Sequence, residues 1–209
     1  MLAAIIVLVV IVVVVVLLGL ILAGIYNGLI RSRVRVNEAW SGIDVQLKRR
    51  ASLIPNLVET VKGYAAHERE VFERVTEARA ALQQAGTAKE ATEANNMVTQ
   101  ALGRLFAVAE AYPQLRASEN FMALQKELAD IEEKIAYARQ FYNRNVTDFN
   151  SRIQVFPNVM IANMFNFQPF EFFEAEEEAR EVPHVSFTPP AAAQPPASEP
   201  PAAEPPAST

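Results

Sequence analysis

Three short groupings of side chains could in principle carry a reaction, and spacing argues against each. His67-Glu68 opens like the zinc-protease pattern H-E-x-x-H, in which two histidines one helical turn apart bind the metal and the glutamate activates water. Here the fifth position is Val71 and the chain holds only 2 histidines, so His67 reads as a helix-surface or hydrogen-bonded residue. Glu181-Val182-Pro183-His184 has the spacing of the Glu-x-x-His unit that di-iron bundles project from a helix into their core, but Pro183 and the acidic surroundings oppose a helix there. Asp130, Glu132 and Glu133 could be drawn as a carboxylate metal site or an acid/base pair. Beside Lys126 and Lys134 they read instead as a solvated helix face with intrahelical ion pairs. The chain has no cysteine, which excludes disulfides, thiol nucleophiles and thiolate metal sites and suits a reducing compartment. No nucleophile has a base nearby, so no catalytic, cofactor-binding or metal-binding residue is expected.

Two other groupings suit binding better than catalysis. Asp44, Lys48, Arg49 and Arg50 concentrate charge where a first helix after the N-terminal apolar run should meet a second. Asp44 and Lys48 can pair at i, i+4, and the cations would complement the dipole of a helix C-terminus; the other reading is a docking patch for an anionic partner. Further on, Phe156, Phe165, Phe167, Phe170, Phe172 and Phe173, with Met160 and Met164, crowd into a segment broken by Pro157 and Pro169. That segment either folds back over an open groove or forms an adhesive surface for self-association, a partner or the membrane interface. Glu171, Glu174 and Glu176 to Glu178 put lipid last among those choices. The candidate partner-binding residues are therefore Asp44, Lys48, Arg49 and Arg50 together with Phe165, Phe167, Phe170, Phe172 and Phe173.

What must position these groups begins with the apolar run itself. Leu2 to Ile25 contains only Leu, Ile, Val, Ala and Gly, and at ~1.5 Å per residue it covers the ~30 Å hydrocarbon core of a bilayer. A cleaved signal peptide would need a basic start, a shorter apolar region and a small-x-small site. No Lys or Arg precedes the run, and Leu22-Ala23-Gly24 resembles a lipoprotein processing site without its cysteine, so an uncleaved anchor is expected. Arg31, Arg33 and Arg35 follow the span and are the expected lipid-flanking cations, which turns the bulk of the chain towards the cytoplasm with the N-terminus outside. A straight helix would carry Lys48 more than ~30 Å from the membrane, too far to touch lipid. Net charge is -5, so nothing global favours nucleic acid.

Beyond the anchor the apolar period is helical. Val36, Trp40, Ile43 and Leu47 make one stripe, and Trp40, the only tryptophan, fits core packing. A second helix is expected from Ser52, a good N-cap, with Pro55 in its first turn; its stripe runs Ile54, Leu57, Val61, Tyr64, Val71, Val75, Ala78 and Leu82, broken at Glu68. If the first two helices are one kinked rod at Pro55, three helices remain instead of four. Gly86-Thr87 marks a turn, a third stripe runs Ala94, Val98, Ala101, Leu105, Val108 and Tyr112, and Pro113 ends it. From Ser118 a heptad-like, coiled-coil-type seam carries Phe121, Leu124, Leu128, Ile131, Ile135, Ala138, Tyr142 and Phe149. Asn145 falls on that seam, where it either fixes register or faces solvent. From Thr188 onward, prolines among Ala, Ser and Glu predict a disordered tail with polyproline character.

Tyr26-Asn27, Ala39-Trp40, the run Ile43 to Arg50, Leu53-Ile54-Pro55-Asn56-Leu57-Val58, Val61-Lys62-Gly63-Tyr64 and His67-Glu68 resemble the LemA family. Tyr112-Pro113, Phe121, Leu124-Gln125, Tyr142-Asn143 and Phe156-Pro157 continue the resemblance, which spans roughly Tyr26 to Phe187. It implies a membrane-anchored cytoplasmic four-helix bundle and no settled activity. Ser52 departs from the Asp of many relatives, and both residues cap helices.

The combined expectation is an all-α chain. Residues 1–26 form a transmembrane anchor, 27–155 an antiparallel four-helix bundle with long helices, 156–187 a Phe-rich acidic segment packed on it, and 188–209 a disordered Pro/Ala-rich tail. The expected role is a non-enzymatic scaffold or adaptor, single-pass in the bacterial inner membrane. Its expected partners are the lipid bilayer and an unidentified protein, preferably a membrane protein, with no cofactor and no nucleic acid. The other readings are a homo-oligomer that organises membrane and, third, a metal-dependent or hydrolytic enzyme.

Overall fold

A computed structural model describes residues 1–174; residues 175–187, including Glu176 to Glu178 and the Glu181-to-His184 unit, and the Pro-rich tail lie outside the described residues. All regular structure among the described residues is helical: α1 (Leu2–Lys62), α2 (Arg69–Gln84), α3 (Ala88–Glu110), α4 (Pro113–Arg116), α5 (Glu119–Arg152) and α6 (Asn158–Met164). The apolar part of α1 is long enough to cross a membrane and has no buried residue, which suggests a single-pass anchor. Burial begins at Leu29 and then recurs at Ser32, Val36, Ala39, Ile43, Leu47, Arg50 and Ile54, the three-and-four spacing of one helix face.

The helix expected to start at Ser52 does not start there. α1 runs unbroken through Pro55, and Ser52 Oγ donates to the Arg49 carbonyl at 2.7 Å inside that helix. Proline has no N–H, so within a helix it leaves the carbonyl four residues back, that of Ala51, without its usual donor. Arg79 on α2 fills the gap: its Nε donates to the Ala51 carbonyl at 2.9 Å. The chain turns instead between Lys62 and Arg69, where Glu68 had interrupted the stripe. Val75, Ala78 and Leu82 are buried as the stripe places them, but Phe72 is buried where Val71 is only half-buried, and Tyr64, counted in the stripe, is exposed in the turn.

Helix α3 starts with a capping box: Thr87 Oγ1 accepts from the Glu90 N–H at 3.2 Å, and the Glu90 carboxylate accepts from the Gly86 and Thr87 N–H groups. Those backbone bonds hold the Glu90 carboxyl below its usual range. Pro113 ends the helical run by taking the first position of α4, and Ser118 stands at the N-cap of α5.

The most extensive packing joins α1 to α5, followed by α2 to α3 and α1 to α2. Ser32 meets Asp148, Trp40 meets Tyr142 and Arg49 meets Glu127, so position rises along α1 as it falls along α5, an antiparallel pairing. The stretch after α6 runs back along this pair under two asparagines of α5. Asn150 donates to and accepts from the Phe170 backbone, both at 2.9 Å, and Asn143 does the same for Phe173 at 2.9 and 3.0 Å. Two helical turns advance ~10.5 Å and three extended residues advance ~10 Å, so the spacings match and one segment satisfies both side chains.

Candidate docking surface

Between α1 and α5 lies an open cleft of about 710 Å³. Its floor needs small residues, and α1 supplies Ala39 and Gly42 one helical turn apart, with Ala138 from α5. Its rim carries Tyr137 and Phe141, one turn apart on α5, with Tyr137 75% exposed. Glu38, Gln46, Asp130, Glu133 and Lys134 complete a polar margin. The Gln46 amide oxygen is buried there and accepts no hydrogen bond from any described residue. Lys134 donates to Asp130 at 2.7 Å, and this bond, with the Lys134 and Arg49 charges, holds the Asp130 carboxyl below its ordinary range. Exposed aromatics over a small-residue floor suit packing against an apolar side chain or helix of another protein.

The charge run of α1 is distributed differently from the expected patch. Lys48 pairs with Asp44 at 2.6 Å and Arg49 with Glu127 at 2.9 Å, both at the surface. Arg50 is 2% exposed and must be removed from any partner-binding set. It reaches Asn95 and Thr99 on α3 and Glu132 on α5, tying three helices together. Glu132, on a partly exposed face, thereby pairs between helices. Nor do the cations lie at a helix end, since α1 continues to Lys62. Dipole compensation therefore does not account for them.

The Phe-rich segment divides in the same way. Phe167 and Phe173 are buried, so they too leave the set of contact residues; Phe170 is half-buried, and Phe165 and Phe172 are exposed. Phe173 lies against Trp40 with ring centroids 6.3 Å apart, Phe170 against Phe149 at 5.1 Å, and Phe165 against Tyr26 at 4.7 Å. The Tyr142 hydroxyl donates to the Glu171 carbonyl at 2.9 Å; burial, with the Glu171 charge, pushes its pKa from 10.0 to about 12.

Of the three cations expected to flank the membrane, Arg31 is exposed, Arg33 sits 5.4 Å above the Phe167 ring and Arg35 pairs with Asp148 at 3.5 Å. Burial would raise the Asp148 carboxyl, but the Arg152 hydrogen bond and charge, with Ser32 and Arg35, hold it below its usual range. Asn145 bonds back to the Phe141 carbonyl of its own helix at 2.8 Å. His67 is exposed in the turn before α2, and among the described residues no three His, Asp or Glu side chains group closely enough to hold a metal ion.

The rim residues Tyr137 and Phe141 were not singled out by the seam of α5, because a seam records only what faces the core. The available signal was Tyr137 and Phe141, a second apolar pair at i, i+4 one position before Ala138 and Tyr142, wider than burial requires.

The chain is 25% identical to magnetosome protein MamQ of Magnetospirillum gryphiswaldense, an alignment that covers 77% of this chain and 68% of that protein. It is 27% identical to protein LemA of Metamycoplasma hominis over 74% of this chain and 71% of the relative, and 26% identical to magnetosome protein MamQ 2 of Paramagnetospirillum magneticum over 77% and 68%. None of these names states a reaction. The model of the LemA family matches residues 39–187, most of the chain, and the protein belongs to the LemA family.

Proposed function

We propose that the protein is a non-enzymatic scaffold or adaptor of the bacterial inner membrane, which holds a cytoplasmic four-helix bundle against the bilayer and offers its α1/α5 cleft to a protein partner. The observation that carries this reading is the continuity of α1: the 61-residue helix that supplies the apolar span also supplies the core face Leu29 to Val61. A bundle joined to its anchor by an unbroken helix keeps a fixed orientation to the membrane, which serves positioning better than a flexible tether would. Arg31, Arg33 and Arg35 follow the span and support a cytoplasmic bundle. In this reading residues 1–26 are the anchor, 27–155 the bundle, and 156–174, the described part of the Phe-rich segment, lie on it. The aromatic rim of the cleft supports protein contact, and the relatives' names, two of them magnetosome proteins, are compatible with work at a membrane compartment.

With no native cysteine, Tyr137→Cys and Phe141→Cys place unique cross-linking sites on the cleft rim, and Met122→Cys places one away from it. Cross-linking in living cells should give one discrete adduct with a different protein from the cleft sites and none from Met122→Cys. Only self-linked species from the cleft would replace the adaptor by a homo-oligomeric membrane organiser. Labelling of Ser118→Cys by an impermeant maleimide in intact cells would overturn the cytoplasmic orientation.

A further inference from the structure

We infer that the turn and short helix after α5, residues 155–165, form an interfacial wedge that lies in the headgroup region of the bilayer beside the anchor. The inference rests on the anchor proposed above.

The sequence between Arg152 and Glu171 contains no charged residue. Within it, α6 turns Ile161 and Ala162 inward and packs on α1, yet its outward side carries two large apolar side chains, Met160 and Met164, exposed beside Asn163. Just before it, Phe156 is 80% exposed beside Val155, and just after it Phe165 is exposed. A surface helix of a water-soluble domain keeps its outer face polar, so a contiguous outer patch of Phe, Met and Val needs a cover.

The register of α1 against α5 says what that cover is. Ser32 faces Asp148 and Trp40 faces Tyr142, so α5 ends at Arg152 about level with Gly28 at the ~1.5 Å rise of both helices. The turn that follows Arg152 thus starts within about one helical turn of Ile25, where α1 passes from packed residues to the bare apolar span. The ring of Phe165 against Tyr26 fixes the far end of the wedge at the same height. The patch is thus continuous with the apolar surface of the anchor, and the one environment that meets both at that level is lipid. Arg31 and Arg33 follow within two helical turns, at the height of lipid phosphates.

Of the acidic residues that argue against lipid contact, Glu171 and Glu174 stand elsewhere. Phe173 packs on Trp40, 14 positions along α1 from Tyr26, so Glu171 and Glu174 lie ~20 Å further from the bilayer than Phe165. The Phe-rich segment therefore contains two parts: a neutral one at the membrane and an acidic one held along the bundle by Asn143 and Asn150.

The test uses the full chain, one copy per nanodisc of phosphatidylethanolamine and phosphatidylglycerol, with an environment-sensitive fluorophore on Phe156→Cys or Met160→Cys. Reference sites are Val12→Cys in the span and Met122→Cys near the start of α5. Trp40 emission and urea midpoint establish that each labelled chain is folded. The wedge sites should be quenched most by a nitroxide placed high on the lipid tail and about fivefold less than Met122→Cys by aqueous iodide. Iodide access equal to that of Met122→Cys, with Val12→Cys in lipid, overturns the wedge and leaves the anchor standing. Iodide access at Val12→Cys overturns the anchor and the wedge with it. Shielding that appears only with two copies per disc also overturns the wedge, in favour of contact between copies.

Discussion

The α1/α5 pair and the α2/α3 pair are built from different materials. Facing positions on α1 and α5 are filled by Ile43, Leu47, Ile131, Ile135, Tyr142, Val146 and Phe149, and the seam is crossed by polar contacts at Ser32, Arg35, Arg49 and Arg50. Helices α2 and α3 bury Ala78, Ala88, Ala91, Ala94, Ala101 and Ala109 around Phe72, Val75, Leu82, Val98, Leu102 and Leu105, all apolar. Alanine fits close approach and loses no side-chain entropy, but each contributes little buried area. The α2/α3 pair therefore depends on its local connection and on what ties it to α1, while α1/α5 can carry a cleft and a bound segment on its own large side chains. Two arginines make those ties: Arg50 reaches from α1 to α3, and Arg79 from α2 to α1.

Cutting the first tie should break the contrast most severely. Arg50→Ala removes a buried side chain that satisfies Asn95, Thr99 and Glu132 together, and it should cost about 3–5 kcal/mol in urea unfolding of the full chain in mild detergent, followed by Trp40 fluorescence. A loss below about 1 kcal/mol would mean that Arg50 does not tie the two pairs together.

The second tie is worth less and allows a cleaner experiment. Arg79→Ala leaves the Ala51 carbonyl, already deprived of its helical donor by Pro55, without its side-chain donor, at a cost of about 1–3 kcal/mol. In a Pro55→Ala background the helical N–H returns, and the same Arg79→Ala change should cost less than half as much. Equal costs in both backgrounds would show that Arg79 acts by packing and not by completing the proline site.

These two residues also mark where reading the chain fails. Helical periodicity located Val98, Ala101, Leu105, Ile131, Ile135, Tyr142 and Phe149 in the core, because a helix that buries one face repeats its apolar residues whatever it packs against. The turn at Gly86-Thr87 and the stop at Pro113 were equally legible, being local chemistry. Ser52 with Pro55 carries the same local signature as a helix start, and only the distant Arg79 makes the proline tolerable inside a helix. Arg50 looked like its neighbours Lys48 and Arg49; its burial depends on Asn95, Thr99 and Glu132, which no local window contains. The glutamate break at Glu68 was visible, but an interrupted stripe and a turn between two helices look alike, because Val75, Ala78 and Leu82 are buried in either case. In the cleft, Tyr137 and Phe141 were hidden because exposed side chains leave no mark on the period of a buried face.

On the α2/α3 side, Thr87→Ala removes the side-chain acceptor of the capping box and should cost about 1 kcal/mol. Thr87→Ser keeps the hydroxyl and should cost only a few tenths. Because the seam beyond the cap is small and apolar, hydrogen exchange of the first turns of α3 should rise several-fold more than that of α5. A uniform rise in both helices would show that the pairs open as one unit and that their difference in material has no local consequence.

The smallest difference is one that appears only in alkali. Tyr142 is buried between Trp40 and the Glu171 carbonyl, with its pKa raised from 10.0 to about 12. The fold favours the neutral phenol, so its contribution is fully present below pH 10.0 and is lost as pH rises through about 12. Lysines titrate over the same range, and Tyr142→Phe separates the two effects because it leaves every lysine in place. Between pH 10 and 12 the parent chain should lose more stability than Tyr142→Phe, and the gap between them should narrow steadily with pH. The buried α2/α3 seam contains no ionisable side chain, so exchange in α3 should follow pH identically in both proteins. Parallel stability curves would remove Tyr142 as the alkaline weak point and return the whole slope to surface charge.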